Sequence, residues 1–139
     1  NDFFVRQRIA KGLEVISLSE CPGKAVAWLR EHKFFAILGD RSFGADTTEI
    51  SFFSRPCMFP RGPAVLALRT GLPIVPGFLI RKNKYHYRFT FEKPIQIQKT
   101  GDLARDIKYM VQSYADVIQR YVEKYPDQWY LFQRFWSEK

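Results

Sequence analysis

Two short stretches combine arginine with glycine, proline or aspartate in a way that suits the binding of an anion. The first is Leu38-Gly39-Asp40-Arg41-Ser42-Phe43-Gly44, which directly follows the apolar run Phe34–Leu38. The carboxyl ends of buried strands are where α/β sheets place their ligands. At such a position Arg41 can clamp an anionic headgroup, and Asp40 can hold Arg41 or another basic group in place. A plain surface salt pair at a turn fits the same two residues. The second stretch is Phe59-Pro60-Arg61-Gly62-Pro63-Ala64, running on to Gly71. A tight Pro/Gly loop that opens a helix presents unpaired N–H groups and the positive end of the helix dipole to an anion. Arg61 adds a charge-assisted, potentially bidentate donor, and Pro63 removes one N–H. Arg69 follows two turns later, on the Arg61/Gly62 side. A capped core helix with incidental arginines fits these residues equally.

Other chemistries find little footing. Cys21 and Cys57 lack the neighbours that lower a thiol pKa and read as small core residues. His32 sits at a helix end between Glu31 and Lys33, and His86 sits in a strand between two tyrosines. Neither has the setting of a catalytic base. There is no P-loop, dinucleotide fingerprint, nucleophile elbow or metal-binding His/Glu spacing, so no cofactor or metal is expected.

The elements that would hold these stretches follow from periodicity and punctuation. Residues 3–12 read as a short helix stopped by Gly12, Leu13–Leu18 as a strand, and Pro22 to His32 as a second helix. Phe34–Leu38 has the length and composition of a buried strand in a parallel sheet. Residues 40–50 read as a loop. Glu49–Phe53 and Pro56–Phe59 read as short extended pieces split at Ser54-Arg55. Pro63–Thr70 reads as a helix with Gly71 as its stop. Leu72–Ile80, Tyr85–Phe91 and Pro94–Gln98 are strand-like, with Lys82-Asn83-Lys84 turning a hairpin. Asp102 can cap a long helix to about Tyr125, with its buried stripe at Ile107, Met110/Val111, Tyr114, Val117/Ile118 and Tyr121/Val122. Asp127–Trp136 reads as a last, aromatic-rich helix. Alternation of this kind predicts an α/β fold, a mixed, mostly parallel sheet flanked by helices.

Composition sets the outer bounds. The chain has 139 residues, 46% hydrophobic and 26% charged, with 13 Phe, 7 Tyr and 3 Trp. That is enough apolar material for the core of one domain and excludes a disordered chain. Two distant cysteines exclude a disulfide-stapled scaffold. No apolar run is long enough to span a bilayer, and no secretory signal is readable. The start at Asn1 suggests that further chain lies upstream. Net charge is +8, and residues 46–100 carry +6 of it. A basic centre suits phosphate headgroups, an acidic carrier protein, an anionic membrane surface or nucleic acid; a merely solvated basic face is the plain alternative.

The string from Phe53 to Pro76 resembles the central block of the bacterial lipid A biosynthesis (lauroyl/myristoyl) acyltransferases, within the lysophospholipid and glycerol-phosphate acyltransferase superfamily. Phe59-Pro60-Arg61-Gly62 is similar to the superfamily's Phe-Pro-Glu-Gly block, with Arg61 in the Glu place. Pro73-Ile74-Val75-Pro76 resembles its proline-containing strand block. Asp40 stands where the family has an Asp after a buried strand, and Arg8 and Gly12 resemble its Arg-x-x-x-Gly segment. The ending Tyr125-Pro126-Asp127-Gln128-Trp129 is similar to the family's Tyr-Pro-Glu-Gln-Trp, with Gln133 where a His is common. The resemblance covers nearly all of the chain.

The resemblance implies a glycerol-phosphate acyltransferase-like fold, of which residues 1–139 form the C-terminal part of a single domain, incomplete at its N-terminus. It implies transfer of a fatty acyl group from acyl carrier protein or acyl-CoA to a hydroxyl of an anionic lipid acceptor, a lipid A precursor or a lysophospholipid-like molecule. Arg8, Asp40, Arg41, Arg61, Gly62 and Arg69 then become the substrate-binding residues. Family chemistry rests on a His-x4-Asp/Glu pair, a general base and the carboxylate that orients it. Here the residue five after His32 is Ile37, and five after His86 is Phe91. No catalytic residue is therefore assigned in this chain. The pair is expected upstream, with a membrane anchor before it, at the cytoplasmic face of a bacterial inner membrane, and the chain alone is expected to be inactive. A non-catalytic lipid- or acyl-binding relative is the alternative. A nucleic-acid module is disfavoured because no recognition motif appears. Phe52, Phe53, Trp129 and Trp136 can line an acyl groove or sit at a membrane, though core is the simpler role for most of them. A domain lacking its first strands would expose apolar edges and could self-associate.

Overall fold

The computed structural model describes residues 2–17, 21–31, 34–41, 46–132 and 135–136. Leu18, His32, Ser42, Phe43, Gly44, Gln133 and the Cys21 side chain lie outside this description. The chain divides into two compact units, Asn1–Ala36 and Ile37–Lys139.

The first unit contains helices α1 (Asp2–Ala10) and α2 (Cys21–Arg30). Gly12 ends α1 at φ 79°, a left-handed conformation that costs glycine little. Its N–H donates to Ile9 O at 2.9 Å, and Leu13 N–H reaches Arg8 O at 3.1 Å. This pairing closes a helix in the Schellman manner, so the Arg8 to Gly12 spacing has a structural cause. Residues 13–17 and 34–38 take no regular structure. The strands expected there do not form, and Phe34 is fully exposed. A strand needs a neighbour to satisfy its backbone, and no described strand runs beside either segment.

The second unit is built on helix α4 (Leu103–Lys124). The Asp102 carboxylate caps it, accepting from Ala104 N at 3.0 Å and Arg105 N at 3.1 Å. The buried stripe matches the periodicity: Ile107, Met110, Val111, Tyr114, Ala115 and Val117. Against it lies an antiparallel hairpin of β1 (Thr47–Phe52) and β2 (Arg55–Pro60), with Ile50 opposite Cys57. Alternation sends Ile50, Phe52, Cys57 and Phe59 into one core. Two glutamines of α4 finish the hairpin's outer edge. Gln112 exchanges hydrogen bonds with Ser51 N and O at 2.9 and 2.8 Å, and Phe53 N–H donates to Gln119 Oε1 at 2.7 Å. The edge is thereby closed to another strand.

The turn of this hairpin is Phe53-Ser54, with φ of 53° and 59°. Two consecutive left-handed residues define the I′ geometry that matches strand twist, normally supplied by Asn-Gly. Ser54 is exposed and bears that strain without compensating burial. Ser54→Gly is expected to raise stability by about 0.5–1 kcal/mol, because the left-handed penalty of a side-chain-bearing residue is removed. A higher urea midpoint at unchanged slope checks this.

Helix α3 (Gly62–Thr70) follows β2, with Arg61 at its N-cap, Pro63 in its first turn and Gly71 ending it at φ 76°. Its buried face, Ala64, Ala67 and Leu68, joins the same core. A second antiparallel hairpin pairs β3 (Gly77–Arg81) with β4 (Tyr87–Phe91). Its inner face places Phe78 flat on Tyr121 at 3.6 Å and buries Ile80. The expected strand Pro94–Gln98 reduces to a single bridge, Ile95 to Ile74. After α4 comes one 3-10 turn, Pro126–Gln128. Of the last helix expected over 127–136, the described residues show only this turn. Both described ladders are antiparallel, and no described helix is long and apolar enough to cross a membrane.

Candidate functional site

The Gly39-Asp40-Arg41 segment and the Pro60-Arg61-Gly62 loop meet around one side chain, Tyr114. Its ring lies 3.6 Å from the point where a Cβ on Gly39 would stand, and its hydroxyl donates to Pro60 O. Burial pushes the Tyr114 phenol far above its ordinary pKa, so the hydroxyl stays a donor. Ile37 reaches Gly62 from the other side, 3.7 Å from its would-be Cβ. The two stretches singled out by composition, 20 residues apart in the chain, therefore meet on the middle of α4.

Each arginine there is held by a carboxylate and a carbonyl. Arg41 Nη2 donates to Tyr130 O at 2.7 Å, and Arg41 Nε lies 4.0 Å from Asp40 Oδ2. The stronger partner of Asp40 is Trp129, whose indole N–H donates to Oδ2 at 3.1 Å. Arg61 Nε stands 3.3 Å from Asp46 Oδ1, misaligned for a hydrogen bond, and this buried nitrogen has no hydrogen-bond partner among the described residues. Arg61 N–H is held by Asp46 O at 3.2 Å. No side chain caps α3; the Val65 N–H bonds to Arg61 O, and the Gly62 and Ala64 N–H groups belong to the open first turn.

The four charges of this cluster cancel, so the helix N-terminus supplies the positive bias, equivalent to about half a unit charge. Asp46 is the loose member: its side chain is 74% exposed, against 39% for Arg61. An exposed ion pair is worth at most about 1 kcal/mol, and a phosphate presenting several oxygens displaces it readily.

Arg69 stands apart from this cluster. Arg69 is exposed in the last turn of α3, about 12 Å along the helix from Arg61. There its charge complements the helix C-terminus. Arg8 is exposed in α1, in the first unit. Gly62 has a helical, unstrained backbone with room for a Cβ, so its value lies in the close approach it permits.

Trp129, Tyr130 and Asp46 are partners that sequence reasoning did not assign. The 89 residues separating Asp40 from Trp129 leave no local signal. The Tyr125–Trp129 ending now has a physical reading. Gln128 clamps the Arg81 backbone through Arg81 N at 2.8 Å and Arg81 O at 3.1 Å, and Trp129 fixes Asp40. Trp136 donates its indole N–H to Phe52 O at 3.2 Å, and Phe52, Phe53, Trp129 and Trp136 pack with one another in the core, as the simpler reading held. Cys57 is buried, and burial pushes its thiol up to about 11. It is no nucleophile at neutral pH. His86 lies exposed in the β3–β4 loop, its Nδ1 2.9 Å from Asn83 Oδ1. Among the described residues no three candidate metal ligands cluster.

Residues 1–138 match the family model described as bacterial lipid A biosynthesis acyltransferase. Among curated proteins the chain is similar to the phosphatidylinositol mannoside acyltransferase of Mycobacterium tuberculosis, in strains CDC 1551 / Oshkosh and ATCC 25618 / H37Rv. Identity to each is 26% over 137 residues, covering 96% of this chain and 42% of the relative. The chain thus spans less than half the length of the curated relatives it matches. It belongs to the bacterial lipid A biosynthesis acyltransferase family.

Proposed function

We propose that the whole protein transfers a fatty acyl group from acyl carrier protein or acyl-CoA to a hydroxyl of an anionic lipid, and that this chain supplies the grip on the acceptor's phosphate. The observation that carries this reading is the convergence of Arg41, Arg61 and the open first turn of α3 around Tyr114. The Arg61 side chain is partly exposed and its carboxylate partner, Asp46, is loosely held, so an anion can compete for the guanidinium. The relatives named phosphatidylinositol mannoside acyltransferase add a phosphate-bearing lipid to the candidate acceptors.

Catalysis needs a base on the acceptor hydroxyl, and neither His32 nor His86 is followed five residues later by an acid. The base and its carboxylate therefore come from residues beyond these 139, as does a membrane anchor at the inner-membrane face. In the whole domain the β1–β2 hairpin takes its place in a mixed, mostly parallel sheet. Arg8 and Arg69 are further substrate-binding residues in this reading. The test is an acyl-transfer assay with radiolabelled acyl carrier protein and acyl-CoA, run on the whole protein and on residues 1–139. Transfer to an anionic lipid by the former only is expected. Transfer by residues 1–139 alone, or none by the whole protein to any anionic lipid, overturns the reading.

A further inference from the structure

The outer face of the β3–β4 hairpin is apolar and uncovered. Leu79, Tyr85, Tyr87, Phe89 and Phe91 are each 57–75% exposed. The register sets Leu79 opposite Phe89 and Gly77 opposite Phe91, so these residues share one side. Phe89 and Phe91 meet edge to face at 4.5 Å, and Phe91 lies across Gly77. Opposite, Phe78 and Ile80 pack inward, so the hairpin is anchored while its aromatic face stays open.

Charge decides what can cover it. Arg81, opposite Tyr87, Lys84, over the Tyr85 ring, and Lys93, next in the 87/89/91 alternation, edge this face, whereas the one nearby acid, Glu92, has its Oε1 taken by the Tyr121 hydroxyl at 2.6 Å. A second copy would bring the same cations against these and be repelled. An apolar surface edged by anions complements the hairpin on both counts. Tyr and Phe with flanking Lys and Arg are also the side chains that settle at the headgroup level of a bilayer.

We propose that this hairpin is a membrane-docking surface that lays its aromatic face on an anionic bilayer. The surface is distinct from any upstream anchor, and the proposal does not rest on the acyl-transfer reading. The 139-residue chain is sedimented with vesicles of phosphatidylcholine alone and of phosphatidylcholine with phosphatidylglycerol. Binding is expected only to the second, weakening as salt is raised. Lys84→Gln with Lys93→Gln is expected to lower partitioning about 25-fold, near fivefold per charge. Leu79→Ser with Phe89→Ser is expected to lower it more than tenfold, and Lys108→Gln on α4 to leave it unchanged, with all variants matching the parent in far-ultraviolet circular dichroism. Equal binding to both vesicles, no binding, or undiminished binding by both hairpin variants overturns the proposal. So does a dimer in light scattering that the Leu79/Phe89 variant abolishes, which would give the face to a second copy. Acyl transfer is not read, so either proposal can fail without the other.

Discussion

Replacing Phe52 with alanine is expected to cost about 3–5 kcal/mol of folding stability, the usual range for removing a fully buried aromatic ring. Phe52 is wholly buried, with the rings of Phe53, Phe59, Phe135 and Trp129 centred 4.8–5.8 Å away. Stiff aromatic rings border the gap, so the cavity closes only in part. Small domains hold only about 5–15 kcal/mol in total, and the thermal midpoint should fall by about 10 °C or more. The damage also travels. Phe52 O accepts the Trp136 indole N–H, and Trp129 packs on the Phe52 ring while binding Asp40. Loosening that contact frees Asp40 and Arg41. Denaturant titration followed by tryptophan fluorescence measures the loss. Phe132→Ala, at an exposed position, should change stability by less than about 0.5 kcal/mol. A Phe52→Ala loss below about 1 kcal/mol would place the core elsewhere.

Arg41→Glu combined with Arg61→Glu is expected to lower kcat/KM of the whole enzyme for an anionic acceptor by about 10²–10⁴-fold. Each sheltered charge-assisted contact contributes about 1.5–3 kcal/mol, and every 1.4 kcal/mol is tenfold. Reversal also sets like charges beside Asp40 and Asp46, so Arg41→Gln with Arg61→Gln is the companion that tests charge without added repulsion. Asp46→Asn moves affinity the opposite way. It releases Arg61 from an exposed carboxylate, and anion binding should tighten by about two- to fivefold. Titration with a short-chain phosphate lipid, monitored by tryptophan fluorescence, reads both signs.

Legibility in the sequence followed the range of the interaction. Helix α3 was bracketed by Pro63 and Gly71, and α4 was marked by Asp102 and a regular apolar stripe, because caps and periodicity are local. The first hairpin was visible as two extended pieces, but its turn was placed one residue late. Phe53-Ser54 lacks the Gly or Asn that marks such turns; its geometry is held instead by Gln119, 66 residues away. The aromatic ending suggested a helix, yet Trp129 and Trp136 are committed to Asp40 and to Phe52 O. Phe34–Leu38 has the composition of a buried strand and lies open, since composition cannot supply a neighbouring strand. Arg41 and Arg61 were found by type and spacing. Their partners Tyr130 and Asp46 were not, and Asp46, with Asp40, makes the cluster electrically balanced rather than strongly positive.

The claim that Arg41 and Arg61 grip the acceptor's phosphate is tested most directly by a cycle that removes either side of the contact. In the whole enzyme, kcat/KM is measured for an acceptor lipid and its phosphate-free analogue, in the wild type and in Arg41→Gln/Arg61→Gln. The wild type should prefer the phosphate-bearing acceptor by at least about 100-fold, and the variant should show almost no preference. An undiminished preference in the variant would contradict the account.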